Sequence, residues 1–474
     1  MNRMDFNFKD HEREQAWAYL HDQLEHYYQD PKSVHAAPSL DLGKIQGYVG
    51  KYIFEDPIPV QKALDHVIRG MRQYTVHTPH PGYYGLYNPR PVFPGILADT
   101  ITATFNPQLA AWSHAPFANE VENYLVRQFG LKFGLPPGKI DGVFTSGGAE
   151  ANLTALLTAI NHKYPGYGDT GLLGLEKQPV LYCSEESHHS VAKAAKNMGL
   201  GLRNVRPIPT NDNLEMQPGV LEATIEKDLA QGLDPFLVVA TAGTTGTGVM
   251  DPLEGMAALA KKYGLWFHVD AAYGGAIILV EKYKHVLNGI ELADSITFDA
   301  HKWMSNPMST SLYITAHPDI LSKTFGMATD YMPKEGAHME ILDPYSHSIQ
   351  WSRRFIGLRL YLSLLVFGWK GYAEVITHQV RMGKRLKELL LENDWNIYNQ
   401  TDLPVICFGK AEFKQDDRLA LNVSSKVLAS GKAWISVYRA GAVNGLRACI
   451  TNYDTQNEDL EELVEVLNLS VNDL

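Results

Sequence analysis

The stretch whose reading decides the fold is Ser295-Ile-Thr-Phe-Asp-Ala-His-Lys-Trp303. It opens as an apolar strand and places Lys302 just past the strand end, against Trp303 and Met304. Most lysines sit in water. A lysine held against large apolar side chains is desolvated, its pKa falls, and the neutral amine can form an imine. About thirty residues upstream, Phe267-His-Val-Asp-Ala-Ala-Tyr273 closes a second apolar strand, Leu265 to Val269, on Asp270. A lone acid at a strand end is often a helix cap or turn residue. A buried carboxylate there can instead stabilise a protonated heterocyclic nitrogen, which makes the ring a better electron sink.

Working outward, Val180 to Cys183 and Phe236 to Thr241 also read as buried strands, and helical stripes follow them through Val191, Ala194 and Met198 and through Met256, Leu259 and Ala260. Strands alternating with helices predict an α/β fold with a mostly parallel sheet covered on both faces. Ligands of such sheets sit at the carboxyl ends of the strands. This pattern spans residues 93–350, the expected large domain. Residues 1–92 read as a helical N-terminal segment, with one stripe through Trp17, Leu20, Leu24 and Tyr27 and another through Val60, Leu64, Val67, Ile68 and Met71. Residues 351–474 read as a small α+β C-terminal domain, entered through a helix at Leu358, Leu362 and Leu365 and closed by an acidic helix through Leu460, Leu463 and Leu467. The acids of that last helix read as a solvated face.

Two further motifs fall at strand ends. Thr145-Ser-Gly-Gly-Ala-Glu-Ala151 precedes a helix with the stripe Leu153, Leu156, Leu157 and Ile160. Glycines at a helix start can cradle a phosphate on free N–H groups at the positive end of the dipole, although a plain tight turn has the same look. A P-loop is excluded, and Gly243-Thr-Thr-Gly-Thr-Gly248 lacks dinucleotide spacing. Ser187-His-His-Ser190 lacks HExxH or other ligand spacing, so no metal is expected; an imidazole stacked on an aromatic cofactor fits better.

The composition narrows the field. A formal net charge of -11 over 474 residues argues against nucleic acid as a ligand. Cys183, Cys407 and Cys449 lie far apart and suggest no disulfide framework. The N-terminus lacks the apolar core of a signal peptide, and no apolar run approaches the roughly 20 residues that span a bilayer. A soluble, cytoplasmic protein without membrane contact is expected.

Taken in order, these words resemble the group II pyridoxal-phosphate (PLP) dependent amino-acid decarboxylases, which include the aromatic-amino-acid, glutamate, histidine and cysteine-sulfinate enzymes. The resemblance rests on His80-Pro-Gly-Tyr-Tyr84, Ser146-Gly-Gly-Ala-Glu150, His188-His-Ser-Val191, Ala240-Thr-Ala-Gly-Thr-Thr245, His268-Val-Asp-Ala-Ala272 and Asp299-Ala-His-Lys-Trp303. It implies the fold type I PLP architecture, a homodimer with shared active sites, and a small-molecule amino-acid substrate. It implies that Lys302 carries the cofactor, Asp270 pairs with the pyridine nitrogen, Ala272 packs beneath the ring and His188 stacks above it. Ser146, Gly147, Gly148 and Ala149, with Asp299 and His301, would surround the phosphate, and Thr245 would lie near the ring hydroxyl or substrate carboxylate. Tyr331, in Thr329-Asp-Tyr-Met332, matches a mobile-loop tyrosine that protonates the intermediate. Arg353 matches an arginine of the family site, and Tyr87, Asn88, Arg90, Gln108 and His114 are candidate substrate contacts.

The chain also departs from the family, which often has asparagine where Asp299 stands. An acid beside a phosphate is electrostatically awkward, so Asp299 could orient backbone or reach the phosphate through water. Near Ala110, where aromatic-selective members carry a bulky apolar residue, Gln108, Ala110 and His114 flank Trp112 in a roomier, more polar wall. The expected reaction is decarboxylation of an L-amino acid to the amine and CO2, with an aromatic substrate favoured and an acidic or polar one open. The alternatives are an aldehyde synthase, a transaminase or lyase on the same fold, and a silent binding partner. Retention of Lys302 and Asp270 argues against the last.

Overall fold

The computed structural model describes residues 6–327, 341–414, 416, 418–440 and 443–472. Its large sheet has seven strands: β1 (Asp141–Thr145), β2 (Pro179–Ser184), β3 (Val205–Ile208), β4 (Asp234–Thr241), β5 (Trp266–Asp270), β6 (Ser295–Asp299) and β7 (Ser311–Thr315), in the order β1-β7-β6-β5-β4-β2-β3. Both β1 and β6 pair antiparallel with β7, so they run parallel to each other and to the remaining strands. The strands read from sequence are β2, β4, β5 and β6, each within two residues of its expected bounds. Their runs are fully buried, apart from the first residue of β4, because helices cover both faces.

Three strands escaped the sequence reading. β1 is five residues long and begins Asp141-Gly142, β3 is an edge strand carrying Arg206 and Pro207, and β7 reverses the sheet direction. That reversal has a simple cause. Residues 300–310 between β6 and β7 contain no helix to carry a crossover, and parallel neighbours need one.

The opening segment is helical as read, with helices Asp10–Gln29, Leu42–Val49 and Val60–Tyr74. None of the three buries a residue completely in the single chain. The C-terminal part begins with helix Leu358–Glu392, broken at Gly368 by a left-handed φ of 61° that glycine adopts without a Cβ penalty. A four-stranded antiparallel sheet follows, β8 (Asn396–Ile397), β9 (Val405–Gly409), β10 (Ser436–Ala440) and β11 (Val443–Cys449), in the order β10-β11-β9-β8. It shares a second core with helices Arg418–Ala429 and Asn457–Asn472, around Leu386, Phe408, Leu446 and Leu463. Each such fully buried side chain contributes about 1.5–3 kcal/mol. The acidic last helix is not wholly solvated: Asp459 is buried and pairs with Lys32 at 2.8 Å, tying the small domain to the N-terminal segment.

All three cysteines are buried and free. Among the described residues no helix is long and apolar enough to cross a membrane, and no cluster of side chains could hold a metal ion.

Candidate active site

The parallel strands deliver their carboxyl ends to one edge, and the functional side chains collect there. β5 ends on Asp270, which is 4% exposed. Its Oδ2 accepts a hydrogen bond from Asn152 Nδ2 at 2.8 Å, and its Oδ1 accepts from the Ala272 backbone N–H at 3.2 Å. Next to it, β6 ends on Asp299, and the turn that follows brings Lys302 back so that Nζ lies 3.0 Å from Asp299 Oδ2. Lys302 is largely covered but reachable, with its side chain 22% exposed.

β1 runs through Ser146 and Gly147 into helix Gly148–Lys163. The N–H groups of a helix's first turn have no partner within the helix. Ser146 turns its N–H and hydroxyl to Glu150 at 2.8 and 2.6 Å, fixing the turn, while the N–H groups of Gly147, Gly148 and Ala149 have no partner among the described residues, an arrangement that suits an anion. A Cβ on Gly148 would meet Asp299 Oδ2 at 2.8 Å, so the helix start and the Asp299–Lys302 pair touch. Burial works to raise the Asp299 pKa, but the neighbouring Lys302 and His301 outweigh it and hold the carboxyl below its usual range. Asp299 Oδ1 is buried and has no hydrogen-bond partner among the described residues. His301 Nε2 lies 3.8 Å from Asp299, and burial, opposed by that carboxylate, keeps the imidazole below its ordinary pKa.

His188 follows β2. Its Nδ1 accepts from the Ser190 N–H at 3.2 Å and lies 2.8 Å from Ser190 Oγ. Burial lowers its pKa against the pull of Asp270, so a neutral ring with its proton on Nε2 sits near Asp270 and Lys302. Tyr87 closes one side: Lys302 Nζ is 5.9 Å from its ring centre, its hydroxyl donates to the Thr245 carbonyl at 2.9 Å, and its ring lies tilted against that of Tyr273 with centroids 4.1 Å apart.

The residues read from sequence therefore divide. Ser146 to Ala149, His188, Thr245, Asp270, Ala272, Asp299, His301, Lys302 and Tyr87 come together. Arg353 makes no hydrogen bond or ion pair with them among the described residues. It is buried against Glu122, whose other oxygen accepts from the N–H groups of Ile356 and Gly357 at 3.1 and 2.9 Å. Arg90 pairs with Asp454 and donates to the Tyr28 carbonyl at 2.8 Å, and Asn88 accepts from Tyr83 at 2.8 Å. Gln108 and His114 are exposed on the single chain, and Tyr331 lies outside the described residues.

Two residues were missed. Asn152 sits beside the expected stripe of helix Gly148–Lys163, yet it is 1% exposed, because strands and helices enclose that helix on nearly every side. The signal was an amide one turn after the glycines. Arg447, on β11, is 5% exposed and donates to the carbonyls of Thr245 and Gly85 at 2.7 and 3.0 Å. No carboxylate pairs with it among the described residues. A lone arginine in a distant domain carries no local sequence signal.

A covered lysine and a buried carboxylate at neighbouring strand ends, beside a helix start whose first N–H groups have no partner among the described residues, suit a phosphorylated heterocycle that reacts through an amine. Residues 54–411 match the model of the pyridoxal-dependent decarboxylase conserved domain, and the chain belongs to that family. It is an enzyme of the PLP-dependent decarboxylase class, and pyridoxal phosphate is its cofactor. The chain is 28% identical over 444 residues to an aromatic-L-amino-acid decarboxylase of Bacillus atrophaeus, covering 91% of this chain and 90% of that one. It is 30% identical over 348 residues to an L-aspartate decarboxylase of Metarhizium robertsii, covering 73% and 69%. Its fold matches that of Oryza sativa TDC with PLP and tryptamine at a TM-score of 0.92, with 22% identity over 98% of this chain and 99% of that one. The donor set fits the cofactor: a buried carboxylate suits a cationic ring nitrogen, an amine suits an aldehyde, and unpaired helix-start N–H groups suit a phosphate.

Proposed function

We propose that this enzyme converts an L-amino acid to its amine and CO2, with an aromatic side chain favoured. What carries the reading is the meeting of Lys302, Asp270 and the Gly147–Ala149 helix start at one sheet edge. Lys302 would hold the cofactor covalently, and Gly147, Gly148 and Ala149 would hold its phosphate. When bound, PLP supplies a ring that accepts the electron pair left behind as CO2 departs.

The remaining work falls to side chains. Asp270 holds a proton on the ring nitrogen, and its burial strengthens that pairing because little water competes. Neutral His188 adds no second positive charge beside Asp270 and presents a flat face for stacking. Tyr87, whose ring centre lies 5.9 Å from Lys302 Nζ and which is backed by the buried Tyr273 and Trp303, offers an aromatic wall that suits an aromatic substrate. Tyr331 remains our candidate for returning a proton to Cα, on its place in the sequence.

A second reading, an acidic substrate, draws support from Arg447. A buried guanidinium without a carboxylate partner among the described residues is a natural receptor for one. It can serve the α-carboxylate of any amino acid or the side chain of an acidic one. We further propose a homodimer. Phe93, Leu97, Ile101 and Phe105 repeat every four residues along one exposed face of helix Phe93–Phe105. Behind that helix, a groove of about 700 Å³ lined by Trp17, Ile96, Thr100 and Asn306 opens at His301, so a second copy there would border the site.

The test is a panel of L-amino acids given to the holoenzyme, with CO2, amine, aldehyde and peroxide measured. Tryptophan, tyrosine or phenylalanine should turn over fastest and yield amine. Preference for aspartate or glutamate would favour the second reading, aldehyde with peroxide would mark an aldehyde synthase, and CO2 release from none would defeat the proposal.

A further inference from the structure

Asp270 is the end of a buried polar chain. Asn152 Nδ2 donates to Asp270 Oδ2 and to Ser190 Oγ, each at 2.8 Å. Asn152 Oδ1 accepts from Thr297 Oγ1 at 2.8 Å and lies 3.2 Å from His268 Nε2. His268 Nδ1 is 2.8 Å from Ser295 Oγ, which accepts from the Trp266 indole at 2.8 Å. Asn152, Thr297, His268 and Ser295 are each at most 1% exposed.

The chemistry fixes the direction of this chain. A carboxylate only accepts, so Asn152 must turn its NH2 to Asp270 and its carbonyl to His268. His268 then donates from Nε2, and the Ser295 hydroxyl beside Nδ1 is free to donate to a neutral ring. Burial, opposed by Asp270, lowers its pKa to about 4, in agreement. A protonated His268 would place a second cation near Asp270, in competition with the ring nitrogen. The other N–H of the same amide reaches Ser190, whose hydroxyl lies 2.8 Å from His188 Nδ1. One side chain thus braces both the carboxylate meant for the ring edge and the imidazole meant for its face.

We propose that Asn152 is a positioning residue for the cofactor ring: locked by Thr297, His268 and Ser190, it orients the Asp270 carboxylate and stabilises its charge for pairing with the protonated pyridine nitrogen. The inference rests on the reading of Asp270 as the partner of that nitrogen. The role is electrostatic, because a hydrogen bond to a buried charged acceptor is worth more than one between neutral groups, and losing it leaves the charge short of a donor.

The experiment titrates apoenzyme with PLP and with its carbocyclic analogue, in which C–H replaces the ring nitrogen, and reads the dissociation constant from the visible absorbance of the bound cofactor. Asn152→Ala should weaken PLP binding by about tenfold, the equivalent of a single charged hydrogen bond, and leave the analogue within about twofold. Thr297→Val, isosteric and without the donor to Asn152, should give a smaller loss with the same selectivity, and it carries the test if Asn152→Ala does not fold. Equal losses for both ligands would mean a merely structural role, and no loss for either would mean none; both outcomes overturn the proposal. Asp270→Ala separates the two readings. If it keeps the wild-type preference for PLP, the pairing of Asp270 with the nitrogen is wrong. If it erases that preference while Asn152→Ala keeps it, only the role of Asn152 fails.

Discussion

At the residue scale, His268 shows how burial sets chemistry. Its pKa falls from an ordinary 6.5 to about 4 because the core cannot solvate an imidazolium. Between those values the unfolded chain binds the proton more tightly than the fold does. The contribution of His268 to stability is therefore full above pH 6.5 and declines as pH drops towards 4. At about 1.4 kcal/mol per pH unit, the loss approaches 3 kcal/mol. His80, also lowered to about 4 by burial, acts in the same direction. Asp251 acts in the opposite one: burial raises it from 3.8 to about 6, so its contribution shrinks as pH rises across that window. Comparing wild type with His268→Gln cancels these backgrounds. Urea unfolding of the apoenzymes should show a gap that narrows by about 2–3 kcal/mol between pH 7 and pH 4.5. A gap independent of pH would mean that His268 is not held neutral by the fold.

At the element scale, the start of helix Gly148–Lys163 is set by close contact. Gly148 has room for hydrogen only, because Asp299 Oδ2 stands 2.8 Å from where a Cβ would go. Asp299 cannot easily yield, since it is buried and holds Lys302 at 3.0 Å. This also changes the meaning of Asp299. An acid beside a phosphate is electrostatically awkward; in the fold the nearest basic groups to Asp299 are Lys302, whose Nζ is 3.0 Å away, and His301 at 3.8 Å. Gly148→Ala should push the helix start away from that pair and weaken PLP binding by about tenfold or more, roughly 1.4 kcal/mol. Thermal unfolding of the apoenzyme should shift little, because only the first turn moves. Unchanged PLP affinity in an absorbance titration would remove the helix start from the phosphate site.

At the scale of the whole molecule, the exposed stripe of helix Phe93–Phe105 calls for a partner. Phe93, Leu97, Ile101 and Phe105 are between 42% and 80% exposed, and Phe117 nearby is 65% exposed. Soluble chains seldom leave so continuous an apolar face uncovered. Helix Leu358–Glu392 packs against the same helix and exposes Leu365, Val366 and Phe367, adding further apolar surface. Wild-type protein should sediment at twice the chain mass, and the double substitution Leu97→Glu with Ile101→Glu should sediment as a monomer with weakened PLP binding. A wild-type monomer that retains full activity would rule out the homodimer and its shared sites.

Much of this was legible in the sequence, for a physical reason. The four central strands announce themselves because each is buried on both faces and so reads as an apolar run, and each chemical residue follows directly where such a run stops. Lys302, Asp270 and His188 are local features of that kind, and the Gly147–Gly148 turn shows through its glycines ahead of a helical stripe. The edge strand β3, the short β1 and the direction of β7 were not legible, because they depend on connection lengths and neighbours rather than on apolar runs. The same holds for Arg353 and Arg90, whose charges the fold commits to Glu122 and Asp454. It holds for Arg447, which the second domain carries to Thr245 across about two hundred residues of chain. Asn152 became meaningful only once packing closed around it. The sequence by itself determined which groups can do chemistry, since reactivity belongs to residue type and local burial. Tertiary structure decided which of them meet, since a hydrogen bond or ion pair exists only between atoms that the packing of distant segments has brought within reach.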